Sequence, residues 1–204
     1  MTRPLAETAL EALEDGPPAA TAGPGGIVEP VVADVWTGHA IGCVLILHRR
    51  DDGLVAEELF HSVRGPGGWA GCDHLSGGLL GFDPRDVASR EAVLAGRGLA
   101  VVTESESLVH TGRSAEDEGD ELLRFVELLV AAEADVLDVE NLTEPSRGHR
   151  PVPSDLALLV LFPGDRLRVR AARSTPAGNV PVGEAVELSQ PPRPSDAATV
   201  GGWW

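Results

Sequence analysis

The residues best suited to chemistry lie together in a glycine-rich stretch of the first half of the chain. Cys72, Asp73 and His74 place a thiol, a carboxylate and an imidazole at consecutive positions. Thiolate sulfur and imidazole nitrogen are common zinc ligands, and a three-ligand site leaves one position for a reactive water. His39 and His61 join this group if their strands end at the same edge of a sheet. We therefore consider Cys72, His74, His61 and His39 as ligands of a zinc site.

The same cluster has two other interpretations. Residues two apart on a strand share a face, so His74 is placed to activate the Cys72 thiol as a nucleophile. However, Cys-x-His is not by itself a ligand spacing of known zinc sites, and such residues often meet in loops by chance. The chain also has no G-x-S-x-G or H-E-x-x-H motif. The sequence thus favours an ordinary loop over a metal or catalytic site.

Two tryptophans, Trp203 and Trp204, follow a proline-containing tail and a Gly-Gly spacer. Tryptophan is a frequent anchor in protein interfaces, and the spacer would let the pair reach a partner's pocket. The alternative is that the pair folds back on the protein's own surface. Trp203 and Trp204 are the candidate protein-binding residues.

The charge of the chain limits its partners. The formal net charge is −16, which repels nucleic acid and anionic membranes and suits either a basic protein partner or solubility alone. All 16 basic residues are arginine. Without lysine there is no Walker A motif and no pyridoxal Schiff base. Exclusive use of arginine indicates a GC-rich, bacterial genome.

The remaining composition predicts a cytoplasmic protein. The first residues lack a basic segment followed by an apolar one, so no secretory signal is expected. No apolar run is long enough to span a bilayer. The 2 cysteines do not suggest a disulfide framework. None of these features predicts an oligomeric state.

The clearest structural pattern begins at residue 156. Residues 156–162 are continuously apolar, as in a strand covered on both faces, and residues 163–165 (Pro-Gly-Asp) form a turn. Residues 166–171 then alternate between arginine and apolar side chains. Together these segments predict a β-hairpin. We expect its arginines to pair with acidic residues of neighbouring strands on a solvated face.

Other strands and helices follow from apolar periodicity and turn residues. We expect helices at 4–15 and 84–95, and strands at 31–35, 40–48, 54–63, 99–103, 107–110 and 184–188. Residues 122–134 suit either a helix or a strand, and a strand follows at 135–140. Residues 65–81 and 141–153 are expected to be loops.

Many short strands separated by turn residues predict a mainly β fold: an antiparallel β-sandwich or barrel with one or two short helices and flexible termini. An N-terminal helix and linker (1–26) precede a β-rich core (27–190), and a flexible tail (191–204) follows it. The core is expected to be one domain, or two sub-domains at 27–97 and 98–190.

The function indicated by these patterns is a non-enzymatic accessory module that binds another protein. The absence of a catalytic signature, the acidic surface and the two short terminal appendages all favour it. The alternative is a metal-dependent hydrolase or metal-binding protein centred on Cys72 and His74, with zinc as the candidate metal. Catalysis is the less favoured of the two.

Overall fold

The computed structural model describes residues 4–16, 27, 29–113, 119–152 and 156–192. These residues form a mostly β protein with two short helices. In chain order the elements are α1 (Leu5–Asp15), β1 (Val31–Gly38), β2 (Ile41–Arg49), β3 (Val55–Gly65), β4 (Gly68–Trp69), β5 (Asp73–Leu79), α2 (Val87–Leu94), β6 (Leu99–His110), β7 (Asp120–Val130), β8 (Val136–Asn141), β9 (Ser146–Pro151), β10 (Leu156–Leu161), β11 (Arg166–Thr175) and β12 (Gly178–Ser189).

The strands form three antiparallel sheets. In the first sheet β1, β2 and β3 are neighbours in that order, and β4 and β5 both pair with β3. The middle sheet has the order β10-β7-β6, and the third sheet has the order β12-β11-β8-β9. The first and middle sheets lie side by side where β1 meets β10, and together they curl into a half-barrel. The predicted antiparallel β fold is therefore confirmed.

Three apolar layers hold the sheets and helix α1 together. The largest fills the half-barrel between the first and middle sheets and includes Leu45, Leu59 and Phe125. A second lies between the middle and third sheets, and a third lies between α1 and the outer face of the first sheet. The middle sheet is thus covered on both faces, which explains why all residues of β10 are buried.

The predicted hairpin at 156–171 is wrong in its pairing. β10 is a buried strand and β11 alternates as expected, but β10 pairs with β7, whereas β11 pairs with β8 and β12. The Pro-Gly-Asp turn therefore carries the chain from the middle sheet to the third sheet. Arg168 contacts Glu140 and Glu187 on the outer face of the third sheet, which confirms the expected acidic pairing for this one arginine.

Strand pairing corrects three other predictions and decides one that was left open between a helix and a strand. The glycine-rich loop at 65–81 contains β4 and β5, which complete the first sheet at β3. Residues 99–110 form one strand with a bulge near Val102, rather than two strands about a turn. Residues 122–130 lie in a strand, β7. The expected loop at 141–153 contains β9, which pairs with β8.

Both helices were predicted, the second with a different start. α2 begins after Asp86, whose side chain accepts a hydrogen bond from the Ser89 N–H at 2.8 Å, so Asp86 is the N-cap. α1 is docked: it buries Ala9, Ala12 and Leu13 against the first sheet. No helix in the described part of the chain has the length and apolar character needed to cross a membrane.

A buried ion pair joins all three sheets. Asp34, in a bulge of β1, is 1% exposed. Its Oδ2 accepts hydrogen bonds from the Leu158 N–H of β10 and from Arg150 Nη2 of β9, both at 2.6 Å. Arg150 also donates to the carbonyl oxygens of Leu158 and Val35. Burial outweighs the attraction of Arg150 and raises the pKa of the Asp34 carboxyl. Because burial disfavours the carboxylate, Asp34 depends on its hydrogen-bond partners staying in place.

We predict that Arg150→Met lowers the free energy of unfolding by about 3–5 kcal/mol, because it leaves the Asp34 carboxylate buried without a counter-charge. Urea denaturation measures this loss. Arg147→Met is the matched control, since Arg147 lies on the same strand and pairs with Glu140 at 3.7 Å in an exposed position. The control should lose less than about 1 kcal/mol. Equal losses would contradict the assignment of Arg150 as the joint between sheets.

We also predict that Gly42→Val displaces α1 from the first sheet. A side chain at Gly42 would collide with Leu13 of the helix and come within 3.1 Å of the Trp69 ring. Overpacking of this kind costs about 1–3 kcal/mol. Hydrogen exchange should show faster exchange in α1, while Gly71→Val, where a Cβ meets nothing within 4 Å, should leave it unchanged. Unaltered protection of α1 in Gly42→Val would refute the prediction.

Candidate functional site

A cleft of about 780 Å³ lies where the C-terminal end of α1 meets one end of the first sheet. We call it the helix–hairpin cleft. Its walls come from the last residues of α1, the β1–β2 turn and the β3–β4 hairpin, and they include Glu14, Asp15, His39, Arg64 and Trp69. The volume lies within the range of sites that bind small molecules or a few side chains.

The β1–β2 turn that forms one wall has a strained backbone. His39 and Ala40 both have positive φ, 52° and 62°, and they connect the paired residues Gly38 and Ile41. Such two-residue hairpin turns favour Asn-Gly, because most L-residues resist this conformation. Strained backbone of this kind often occurs at binding sites.

The helix that forms the opposite wall contributes negative charge. α1 ends with Glu14 and Asp15 and has no basic residue in its last turn. The free carbonyl groups at a helix C-terminus carry a partial negative charge, and the two carboxylates add to it. This wall therefore attracts cations.

Trp69 connects the two sides of the cleft. Its indole Nε1 donates a hydrogen bond of 3.0 Å to the Leu13 carbonyl, which fixes the ring against α1. The Arg64 guanidinium lies over the same ring, 5.5 Å from its centroid. An indole face with a guanidinium above it is a cation–π arrangement, so the cleft wall already accommodates a cationic side chain.

The structure does not bring the four side chains predicted to bind zinc together in one group. His39 lies in the β1–β2 turn, and its ring meets that of Phe162 edge-on, with 5.0 Å between centroids. His61 is in register with Asp73, the neighbour of His74, so His61 and His74 point to opposite faces of the first sheet. Across the ranges that the structure describes, no three His, Cys, Asp or Glu side chains are grouped so that they could hold a metal ion.

The Cys72 thiol is not activated as a nucleophile. Burial, followed by the negative charge of Asp73, raises the pKa of Cys72 to about 11. The His74 Nε2 lies 2.6 Å from the Glu58 Oε2 and so has a carboxylate as its partner. Because the thiolate is the reactive form, a raised pKa keeps Cys72 protonated at neutral pH.

Glu58 bridges two histidines on the outer face of the first sheet, an arrangement that the sequence analysis missed. Its Oε1 lies 3.2 Å from His48 Nε2, on β2, and its Oε2 contacts His74, on β5. Gly77 lies opposite Glu58 in the β3–β5 ladder, and a side chain there would collide with the Glu58 carboxylate. Only the strand register brings these residues together.

A second missed pair lies inside the half-barrel. Glu57 of β3 and Glu127 of β7 are 5% and 3% exposed, and their side chains share a hydrogen bond. Burial, then the negative charge of Glu57, raises the pKa of Glu127 to about 9, so Glu127 keeps a proton at neutral pH. One sequence feature could have revealed this pair: on each of the two strands an acidic residue occupies an inward position between apolar residues of the same face.

We predict that Ala40→Gly raises the free energy of unfolding by about 1 kcal/mol, because glycine adopts positive φ without steric cost. Ala95→Gly is the matched control, since Ala95 has a φ of 49° at the end of α2, away from the cleft. Thermal denaturation should show a similar gain for both variants. A loss of stability in Ala40→Gly alone would show that the turn is not strained.

Trp203 and Trp204, the predicted protein-binding residues, lie outside the described residues. The structure therefore identifies a different candidate for binding, the helix–hairpin cleft. In comparisons with known proteins, no family model, curated protein or solved structure matches this chain. The function is therefore argued from the geometry and charge of the cleft.

Proposed function

We propose that the protein is a non-enzymatic binding module that holds a basic segment of a partner protein in the helix–hairpin cleft. The observation that carries this proposal is the meeting of two features in one cavity. One wall is the negatively charged end of α1, and the other presents the indole of Trp69. A basic side chain is the chemistry that both features favour.

The size of the cleft supports a segment of chain as its occupant. A volume of about 780 Å³ holds several side chains, and the cleft is an open groove rather than a closed cavity. Its floor is built on strands β1 to β3 and on a docked helix, so the binding groups are held by rigid elements.

The charge of the whole chain supports a basic partner. A net charge of −16 speeds the encounter with positively charged proteins and opposes binding to nucleic acid. Glu14 and Asp15 then provide local attraction where the partner docks. The long-range charge accelerates association, and the cleft supplies the specificity.

The position of Arg64 supports arginine as an anchoring residue of the partner. Its guanidinium lies over the Trp69 ring at the mouth of the cleft. An arginine of the partner can stack on the other exposed parts of the indole or replace Arg64 there. Its charge would then face Glu14 and Asp15.

The test measures the fluorescence anisotropy of a labelled peptide of alternating glycine and arginine, titrated with the full chain. We expect saturable binding that weakens about tenfold or more in the variant Glu14→Gln/Asp15→Asn, because two attractive charges are removed. Trp69→Ala should also weaken binding, because it removes the stacking surface. A glycine–glutamate peptide should not bind.

The control variant Glu133→Gln/Glu144→Gln removes the same number of charges at exposed positions away from the cleft. Its affinity for the arginine peptide should stay within about twofold of that of the wild type. If both double variants lose the same affinity, the peptide responds to net charge alone and the proposal fails. Circular dichroism confirms that each variant is folded.

A further inference from the structure

The interior of the half-barrel contains a polar pair that no binding role in the cleft explains. Glu57 and Glu127 face each other from the first sheet and the middle sheet, and each is more than nine-tenths buried. Their side chains are hydrogen-bonded to each other. The Oε2 atoms of both are buried without a hydrogen-bond partner, so the pair depends on its one shared contact.

Every strand next to the pair presents an uncharged neighbour. Leu47 of β2 and Gly78 of β5 flank Glu57 in register, and Leu158 of β10 and Thr103 of β6 flank Glu127. Gly78 has a specific role, because a Cβ there would lie 2.8 Å from the Glu57 Oε1. These neighbours supply no counter-charge, so two ionised carboxylates cannot be accommodated side by side.

The charged groups near the pair lie at its margins. Glu58, the next residue along β3, raises the pKa of Glu57, and His74 of β5 lowers it, both less than burial does. His61 lies on the same face of β3 as Glu57, and its register partner is Asp73 of β5.

Helix α2 packs on β6 and β7 and carries charged residues of its own, Arg90 and Glu91. It places Val93 and Leu94 against the interior. The main charge acting on Glu127 is therefore that of Glu57.

The pair lies on the side of the half-barrel where the segment with α2 connects β5 to β6. Four apolar residues of that segment pack against the interior: Leu80, Phe82, Val93 and Leu94. β5 and β6 are the outer strands of the first and middle sheets, and they belong to different sheets. β3 and β7, which carry the two glutamates, are their immediate neighbours. The hydrogen bond between Glu57 and Glu127 thus connects the two walls close to the β5–β6 gap.

We propose that Glu57 and Glu127 form a proton-operated latch: one shared proton holds the first sheet against the middle sheet, and its loss lets the walls separate along the β5–β6 gap. In the closed state the Glu127 carboxyl donates to the Glu57 carboxylate. Release of that proton to solvent leaves two negative charges in contact, and hydration of both requires the walls to part.

The direction of the pH dependence follows from the pKa of Glu127. That pKa is raised from 4.5 to about 9 in the folded protein. The proton therefore stabilises the fold fully below about pH 4.5, and this contribution falls as pH rises towards 9. Across this window, one proton bound only in the folded state makes the unfolding equilibrium constant rise about tenfold per pH unit. Above about pH 9 the latch itself is open.

The experiment compares wild type and Glu127→Gln by urea denaturation and hydrogen exchange from pH 6 to pH 10. The glutamine amide donates to the Glu57 carboxylate without a titrating proton, so the variant should lose the tenfold-per-unit dependence relative to wild type. In wild type, amides of β3, β5, β6 and β7 should lose protection above about pH 9, and in the variant they should keep it. Glu133→Gln is the control with a matched change at an exposed position.

A second measurement needs no variant. Carbon-13 NMR of the glutamate side-chain carboxyls in the wild-type full chain should show one carbon that titrates above pH 8. If every glutamate titrates below pH 6, or if the wild type and Glu127→Gln lose protection in parallel, the latch is refuted. A variant that does not fold leaves the NMR titration as the decisive result. The outcome is independent of peptide binding in the cleft, which uses none of these residues.

Discussion

The arrangement of the three sheets depends on one buried carboxylate. Asp34 lies where β1 bulges, and it takes the place of a backbone partner for Leu158 at the junction of the first and middle sheets. Arg150 reaches this carboxylate from the third sheet at 2.6 Å. A charge buried to this extent is tolerated only when its partners are fixed. The ion pair therefore sets the positions of β1, β9 and β10 relative to one another, and the apolar layers fill the space that these positions define.

The sequence predicts the elements of this fold better than their pairing. Continuous apolar residues correctly identify β10 as a strand buried on both faces, and Pro-Gly-Asp correctly identifies a turn after it. A turn does not specify which strands pair, however, and the prediction that β10 and β11 form a hairpin was wrong because the chain changes sheets there. β5 and β9 were missed because they contain glycine or proline, which are depleted in strands. Both strands form by pairing with a neighbouring strand.

The candidate sites were also predicted better in residue type than in spatial arrangement. Residue type pointed to Cys72 and His74, but their chemistry depends on neighbours that the sequence does not place beside them. Strand register brings Glu58 to His74, and sheet packing brings Glu57 to Glu127. The helix–hairpin cleft likewise requires α1 to dock, and the apolar stripe of α1 does not say whether the helix docks or against which surface. Positive φ at both His39 and Ala40 was not predicted, because a His-Ala pair lacks the glycine that usually marks such a turn.

The adjacent residues Glu57 and Glu58 point to opposite faces of β3, one into an apolar interior and the other towards two histidines. On the antiparallel strand β5, Gly78 leaves room for Glu57 and Gly77 leaves room for Glu58. A shift of β3 by one residue would exchange these environments, placing Glu58 opposite Glu127 and moving Leu59 to the outer face. The two glutamates thus disfavour a shifted register of β3 in the sheet. Insertions and deletions of single residues in β3 should accordingly be selected against, whatever ligand the protein binds.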